Sequence, residues 1–147
     1  MERAPGELRP VTVAAVSFSP RKFDVESNAR KLADLFREAA GKGAQLALAP
    51  EGALDGIVAM GVLKGEWPAE RTLDATLTTE CETIDGFRRL AAQLGVCLAF
   101  GFAERIGDEI FNTAAFIDDT GALTGKYHKM ALAEGYHESW WFDRTGH

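Results

Sequence analysis

GKGAQLALAPEGAL, running from Gly41 to Leu54, decides how this chain folds. Gly41 and Gly43 stop whatever precedes them. The run Gln45-Leu46-Ala47-Leu48-Ala49 is short and apolar on both faces, the pattern of a strand covered from two sides inside an α/β sheet. Glu51, flanked by Pro50 and Gly52, falls at the carboxyl end of that strand. Open α/β sheets place their ligand crevices at such strand ends.

Upstream of this stretch, Val25, Ala29, Leu32, Leu35, Phe36, Ala39 and Ala40 recur at helical spacing, with Asp24 available as N-cap. VTVAAVSF, Val11 to Phe18, precedes that helix and reads as a strand ending at Ser19-Pro20. Downstream, residues 53 to 80 carry Gly56, Gly61, Gly65 and Pro68 among scattered apolar positions and read mostly as loop with a short helix. Asp85, Phe87, Leu90, Ala91 and Leu94 predict a second helix stopped at Gly95, and Val96 to Ala103 predicts a third buried strand. Then the pattern changes. Gly107-Asp108 separates Val96–Ile106 from Glu109–Ile117, and Asp119-Thr120-Gly121 separates that run from Ala122–Lys129, so two hairpins follow a βαβαβ start. The expected sheet is mixed, in an α/β fold.

With 147 residues the chain has the length of one ordinary domain. Its 22 acids outnumber 16 lysines and arginines, and no basic cluster is long enough to track a phosphate backbone, so nucleic acid is not an expected partner. No stretch has the length and apolarity of a membrane span, and MERAPGELRP lacks the apolar region of a secretory leader. A cytoplasmic location is the expectation, and the two cysteines, Cys81 and Cys97, 16 positions apart, suit a reducing compartment.

Two residues invite a chemical role. Apolar neighbours would desolvate Glu51, raise its pKa and make it a proton acceptor, although a solvated acid at a strand end would leave the same trace. Lys129 ends the last hairpin strand. Period-two alternation puts Tyr127 and Lys129 on one face, Lys126 and His128 on the other. An ammonium facing a crevice can hold a developing oxyanion, although a solvated basic strand end reads the same way. The histidines His128, His137 and His147 match no zinc spacing, and no dinucleotide, P-loop or nucleophile-elbow motif is present. Cys97 sits in an apolar run and reads as core, while Glu80 and Glu82 flank Cys81 and oppose its thiolate.

Taken in order, VTVAAVSF, NARKLADLFREAAGKGAQLALAPEGAL and LAAQLGVCLAFGFAERIGDEIFNTAAFIDDTGALTGKYHKMAL resemble the nitrilase, or carbon–nitrogen hydrolase, superfamily. The resemblance implies an α-β-β-α sandwich, of which residues 1–147 would form the N-terminal portion of a single domain: a mixed sheet with helices on one face. It further implies a Glu-Lys-Cys triad. Glu51 takes the general-base position, Lys129 the oxyanion-stabilising position, and Glu138 the place of a second glutamate supporting the lysine, with Glu134 as the alternative. His128 stands where many relatives carry arginine. The family's cysteine lies on a later strand, before an Asp or Asn and an Arg; Cys81 and Cys97 both precede Lys129, and no cysteine follows it.

The implied substrates are small amides, nitriles or N-carbamoyl compounds, with no metal or organic cofactor, in a homo-oligomer when complete. Residues 1–147 alone are then expected to turn nothing over. The alternative is a non-catalytic half-domain that pairs with a separate second half.

Overall fold

The structure, a computed structural model, describes residues 10–133 and 141–143. Among these residues one mixed sheet is formed by β1 (Val13–Ala15), β2 (Leu46–Leu48), β3 (Cys97–Ile106), β4 (Glu109–Ile117) and β5 (Leu123–His128). Spatial order follows chain order. Strands β1, β2 and β3 are parallel, and β3, β4 and β5 are antiparallel. Parallel neighbours need a long crossover, supplied by α1 (Val25–Gly41) and by the stretch ending in α3 (Glu82–Leu94), whereas antiparallel neighbours close through tight turns.

Local chemistry sets the helix ends. The Asp24 carboxylate accepts the Ser27 N–H at 3.1 Å and caps α1. Gly95 adopts a left-handed φ of 63° and its N–H closes α3 onto the Ala91 carbonyl at 2.8 Å. Glu82 and Asp85 lie in the first turn of α3, which begins a turn earlier than periodicity alone suggests because acids there favour the helix dipole. The 53–80 region contains a short helix, α2 (Ala59–Leu63), and a 3-10 turn at Ala69–Ala75. Among the described residues β1 pairs only with β2, at the sheet edge, and keeps a ladder of three residues, shorter than the Val11–Phe18 expected.

The core lies between the sheet and α1 with α3. Leu98, Phe100 and Phe102 of β3 face Leu32, Phe36, Ile84 and Phe87, and the Phe87 and Phe100 ring centroids are 4.6 Å apart. Burying such a cluster is the main stabilising term, at roughly 1.5–3 kcal/mol for each large side chain. Cys97 is not part of it. It is half-buried at the start of β3, one position before Leu98, so strand alternation turns it to the opposite face. That opposite face is open: Val13, Leu48, Phe116 and Tyr127 all stay exposed.

One close approach positions the site. After β2 the turn Pro50–Gly52 lies directly on β3, where the Gly101 N–H donates to the Pro50 carbonyl at 3.3 Å. A Cβ at Gly101 would stand 2.8 Å from Glu51 Cα and 2.9 Å from the Gly52 nitrogen, both backbone atoms that cannot swing aside. Gly101→Ala should therefore cost about 1–3 kcal/mol, the range for overpacking. Urea denaturation checks this against Gly41→Ala, whose Cβ meets nothing within 4 Å and whose midpoint should barely move.

Candidate active site

Glu51, Asn112 and Lys129 come together although 78 positions separate the first from the last. The Glu51 carboxylate receives the Lys129 ammonium at 3.1 Å on Oε1, and the Asn112 side-chain amide donates a short hydrogen bond to the same oxygen. Asn112 belongs to β4. Its carbonyl accepts the Lys129 N–H at 2.9 Å, so the end of β5 is tied to β4 at the very residue that also holds Glu51. Ala49, Ala99, Gly101, Ala114 and Tyr127 complete a cleft of about 340 Å³ around the pair.

Small residues on β3 and β4 leave that space empty. The desolvation expected of Glu51 is not what the fold delivers: its side chain is 49% exposed and that of Lys129 32%. The carboxylate sits at the lip of an open sheet face, where water still reaches it. A pair this exposed contributes about 0–1 kcal/mol, too little to hold two side chains in place unaided.

Strand alternation separates the basic residues of β5 as the sequence suggests. Tyr127 and Lys129 line the cleft, while Lys126 and His128 turn to the other face and meet Glu104 of β3. The Glu104 side chain is only 1% exposed. Its Oε1 accepts from Lys126 Nζ at 2.6 Å, its Oε2 accepts from Thr113 Oγ1 at 2.9 Å, and His128 Nε2 lies 3.0 Å from the same Oε2. The His128 ring also stacks on Phe111, centroid to centroid 4.4 Å. Burial alone would raise the carboxyl pKa, but hydrogen bonds from Lys126, His128 and Thr113 outweigh it and hold the group below its ordinary value.

A second buried carboxylate, Asp55, follows Glu51 on the same turn; it accepts the N–H groups of Ile57 at 2.8 Å and Ala103 at 3.1 Å. Residues 141–143 return to the start of β4: the Asp143 carboxylate accepts the Ile110 N–H at 2.7 Å, and Trp141 packs against Val58, Ala59, Ala75 and Ala103. Glu138 and Glu134, proposed as supports for Lys129, lie outside the described residues, as do His137 and His147. Neither Cys81 nor Cys97 lines the cleft. Cys97 stands four positions from Gly101, roughly 13 Å along β3.

Sequence reasoning about individual residues missed Asn112, Glu104 and Asp55. A signal existed for the first two. The two-residue turn Gly107-Asp108 fixes a register in which Ala103 opposes Asn112 and Glu104 opposes Phe111, so the hairpin could have been paired residue by residue. No comparable local signal marks Asp55 as buried.

A mixed α/β sheet with an acid and a lysine joined at its strand ends is the class that fold and site define. The family model for carbon-nitrogen hydrolase matches residues 12–146, and the chain belongs to that family. It is similar to a nitrilase of Pyrococcus abyssi, 32% identical over 133 residues, covering 90% of this chain and 47% of the relative. An N-carbamoylputrescine amidase of Oryza sativa subsp. japonica is 32% identical over 141 residues, covering 90% of this chain and 43% of its own length. Among solved structures, an amidase from Nesterenkonia sp. superposes with a TM-score of 0.73 at 23% identity, covering 93% of this chain and 49% of that one. The chain thus spans about half the length of these relatives, and its fold is that part of the nitrilase-type sandwich which carries one sheet and its helices.

Removing the Glu104 carboxylate has a predictable cost. Glu104→Gln should destabilise the chain by about 2–3 kcal/mol, below the value for a fully buried pair because Lys126 is 32% exposed. Because the folded-state pKa is depressed, this contribution is present above the ordinary 4.5 and is lost as pH falls through the lower folded value. Urea midpoints between pH 7 and 3 should show an acid-side fall that the variant lacks.

Proposed function

We propose that this chain supplies the glutamate and lysine of a Glu-Lys-Cys hydrolase acting on non-peptide carbon–nitrogen bonds in small amides, nitriles or N-carbamoyl compounds. The observation that carries this reading is the Lys129 to Glu51 contact of 3.1 Å at the mouth of a cleft large enough for a small substrate. In support, a mutant of the amidase from Nesterenkonia sp. AN1 shows covalent addition of the acetamide moiety of fluoroacetamide at its active site cysteine.

For an amide, Glu51 takes the proton of the cysteine thiol, and the sulfur attacks the carbonyl carbon. Lys129 holds the resulting oxyanion as a fixed charge. Collapse breaks the C–N bond, with Glu51 returning the proton to the leaving nitrogen. Water, deprotonated by Glu51, then cleaves the thioester to the acid and restores the thiol. The cysteine comes from sequence outside residues 1–147, since Cys81 and Cys97 both precede Lys129 and neither lines the cleft. Glu138, or Glu134, supports Lys129 in this reading, the enzyme needs no cofactor, and it works in the cytoplasm as a homo-oligomer.

The exposed Val13, Leu48, Phe116 and Tyr127 favour a second reading, a half-domain that pairs with a separate chain through its uncovered face. One set of assays treats both. Residues 1–147 should release no ammonia from amides, nitriles or N-carbamoyl amino acids. Joined to a cysteine-bearing second half from a family member, they should, and Glu51→Gln or Lys129→Met should lower kcat/KM by about 100-fold or more. Turnover by residues 1–147 alone that Glu51→Gln abolishes would overturn the triad, and tight pairing without turnover would favour the half-domain.

A further inference from the structure

The turn that delivers Glu51 is built from backbone that side chains resist. Gly52 and Gly56 take φ of 60° and 78°, and between them and α2 stands Ile57 at φ 53°, a left-handed conformation that a β-branched residue avoids. What restrains Ile57 is Asp55, whose Oδ2 accepts its N–H at 2.8 Å. The other oxygen, Oδ1, accepts the Ala103 N–H of β3 at 3.1 Å, and the side chain is sealed from solvent, with the residue 1% exposed.

The contacts form a closed ring. Asp55 grips Ala103, Ala103 pairs with Asn112 across the β3–β4 ladder, Asn112 donates to Glu51, and the chain from Glu51 leads back to Asp55. The Leu54 N–H reaches the Gly101 carbonyl at 3.4 Å, and its own carbonyl accepts from the Asn28 amide of α1 at 2.8 Å. Those bonds fix the middle of the turn to β3 and α1. Beyond Ile57, Val58 and Ala59 pack on Ala103 and Ile110, and Asp55 supplies the hydrogen bonds that tie the strained exit itself to the strand pair that carries Asn112.

We infer that Asp55 is a positioning residue for Glu51, its buried carboxylate bracing the 51–57 turn between Ile57 and β3 so that Glu51 meets Asn112 and Lys129. The assignment rests on the reading of Glu51 as the proton acceptor.

Burial pushes the Asp55 carboxyl up to about 6; hydrogen bonds from the Ile57 and Ala103 N–H groups oppose the rise, and the Glu51 charge adds to it. Around the turn, α1 presents the neutral Asn28 amide, β3 the Ala103 N–H, β4 the Asn112 amide and the end of β5 the Lys129 ammonium that pairs with Glu51. A neutral carboxyl is a weaker double acceptor than a carboxylate, so the brace slackens as pH falls through about 6. Global stability moves the other way for this group. A folded pKa above 3.8 means the fold gains stability as pH drops through that window and loses it as pH rises through about 6, so slackening is not unfolding.

Isotope-labelled 147-residue chain tests this by NMR. Nuclear Overhauser contacts between the Asn112 amide protons and the Glu51 methylenes should fall by half near pH 6, with the same midpoint as the Ile57 and Ala103 amide shifts. In Asp55→Asn the contacts should be weak at every pH and show no midpoint, while Asp74→Asn on the exposed 3-10 turn should match the unaltered protein. If Asp55→Asn does not fold, the titration of the unaltered chain decides. Contacts that persist unchanged while Ile57 and Ala103 titrate, or that survive in folded Asp55→Asn, overturn the inference. Hydrolysis by the joined halves is read separately: absent turnover with pH-dependent contacts sinks the proposed reaction alone, and turnover with pH-independent contacts sinks the role of Asp55 alone.

Discussion

Backbone touching backbone at Gly101 is the constraint on which the site depends. Strand β2 ends at Leu48, two residues before Pro50, and the chain must then turn while staying in contact with β3. Only a residue without a side chain lets Pro50, Glu51 and Gly52 lie so close, and that proximity carries the Glu51 carboxylate over the neighbouring strand toward β4. The ion pair it makes there is half exposed and too feeble to organise anything. Order therefore runs from the scaffold to the charges, not the reverse.

The two faces of the β4–β5 ladder divide the labour. On one, Glu104 gathers Lys126, His128 and Thr113 into a buried cluster whose hydrogen bonds compensate its desolvation. On the other, Tyr127 and Lys129 border an open cleft. Adjacent residues of one strand thus have different fates: His128 is fixed against Phe111 and Glu104, and that anchorage sets where the next residue, Lys129, begins.

Much of this could be read from the chain before folding. The β2 run, the glycine stops, the Asp24 cap and the hairpin turns are local signals, and each corresponds to an element in place, but β2 is not covered from both sides, because Leu48 stays exposed. Alternation along β5 separated Lys126 from Lys129 without any knowledge of Glu104, because a period of two is a property of the strand itself. What stayed illegible was burial of charge. The hairpin register places Glu104 opposite Phe111 but does not show that it receives three donors, and nothing local shows that Asp55 receives two backbone N–H groups. On the turn that carries Glu51, the carboxylate removed from water is Asp55, four residues on. Cys97 misled for a related reason, since an apolar run does not reveal which of its alternate positions face the helices.

The uncovered side of the sheet has a physical consequence of its own. Parallel strands ordinarily have both faces shielded, yet β1 to β3 present Val13 and Leu48 to solvent. Sulfate, excluded from apolar surface, strengthens any tendency of that side to stick, whereas dissolved ions of any kind screen the half-exposed carboxylate and ammonium at its rim. Sulfate therefore acts with opposite sign on two regions a few residues apart, promoting adhesion of the sheet while loosening the charges beside it.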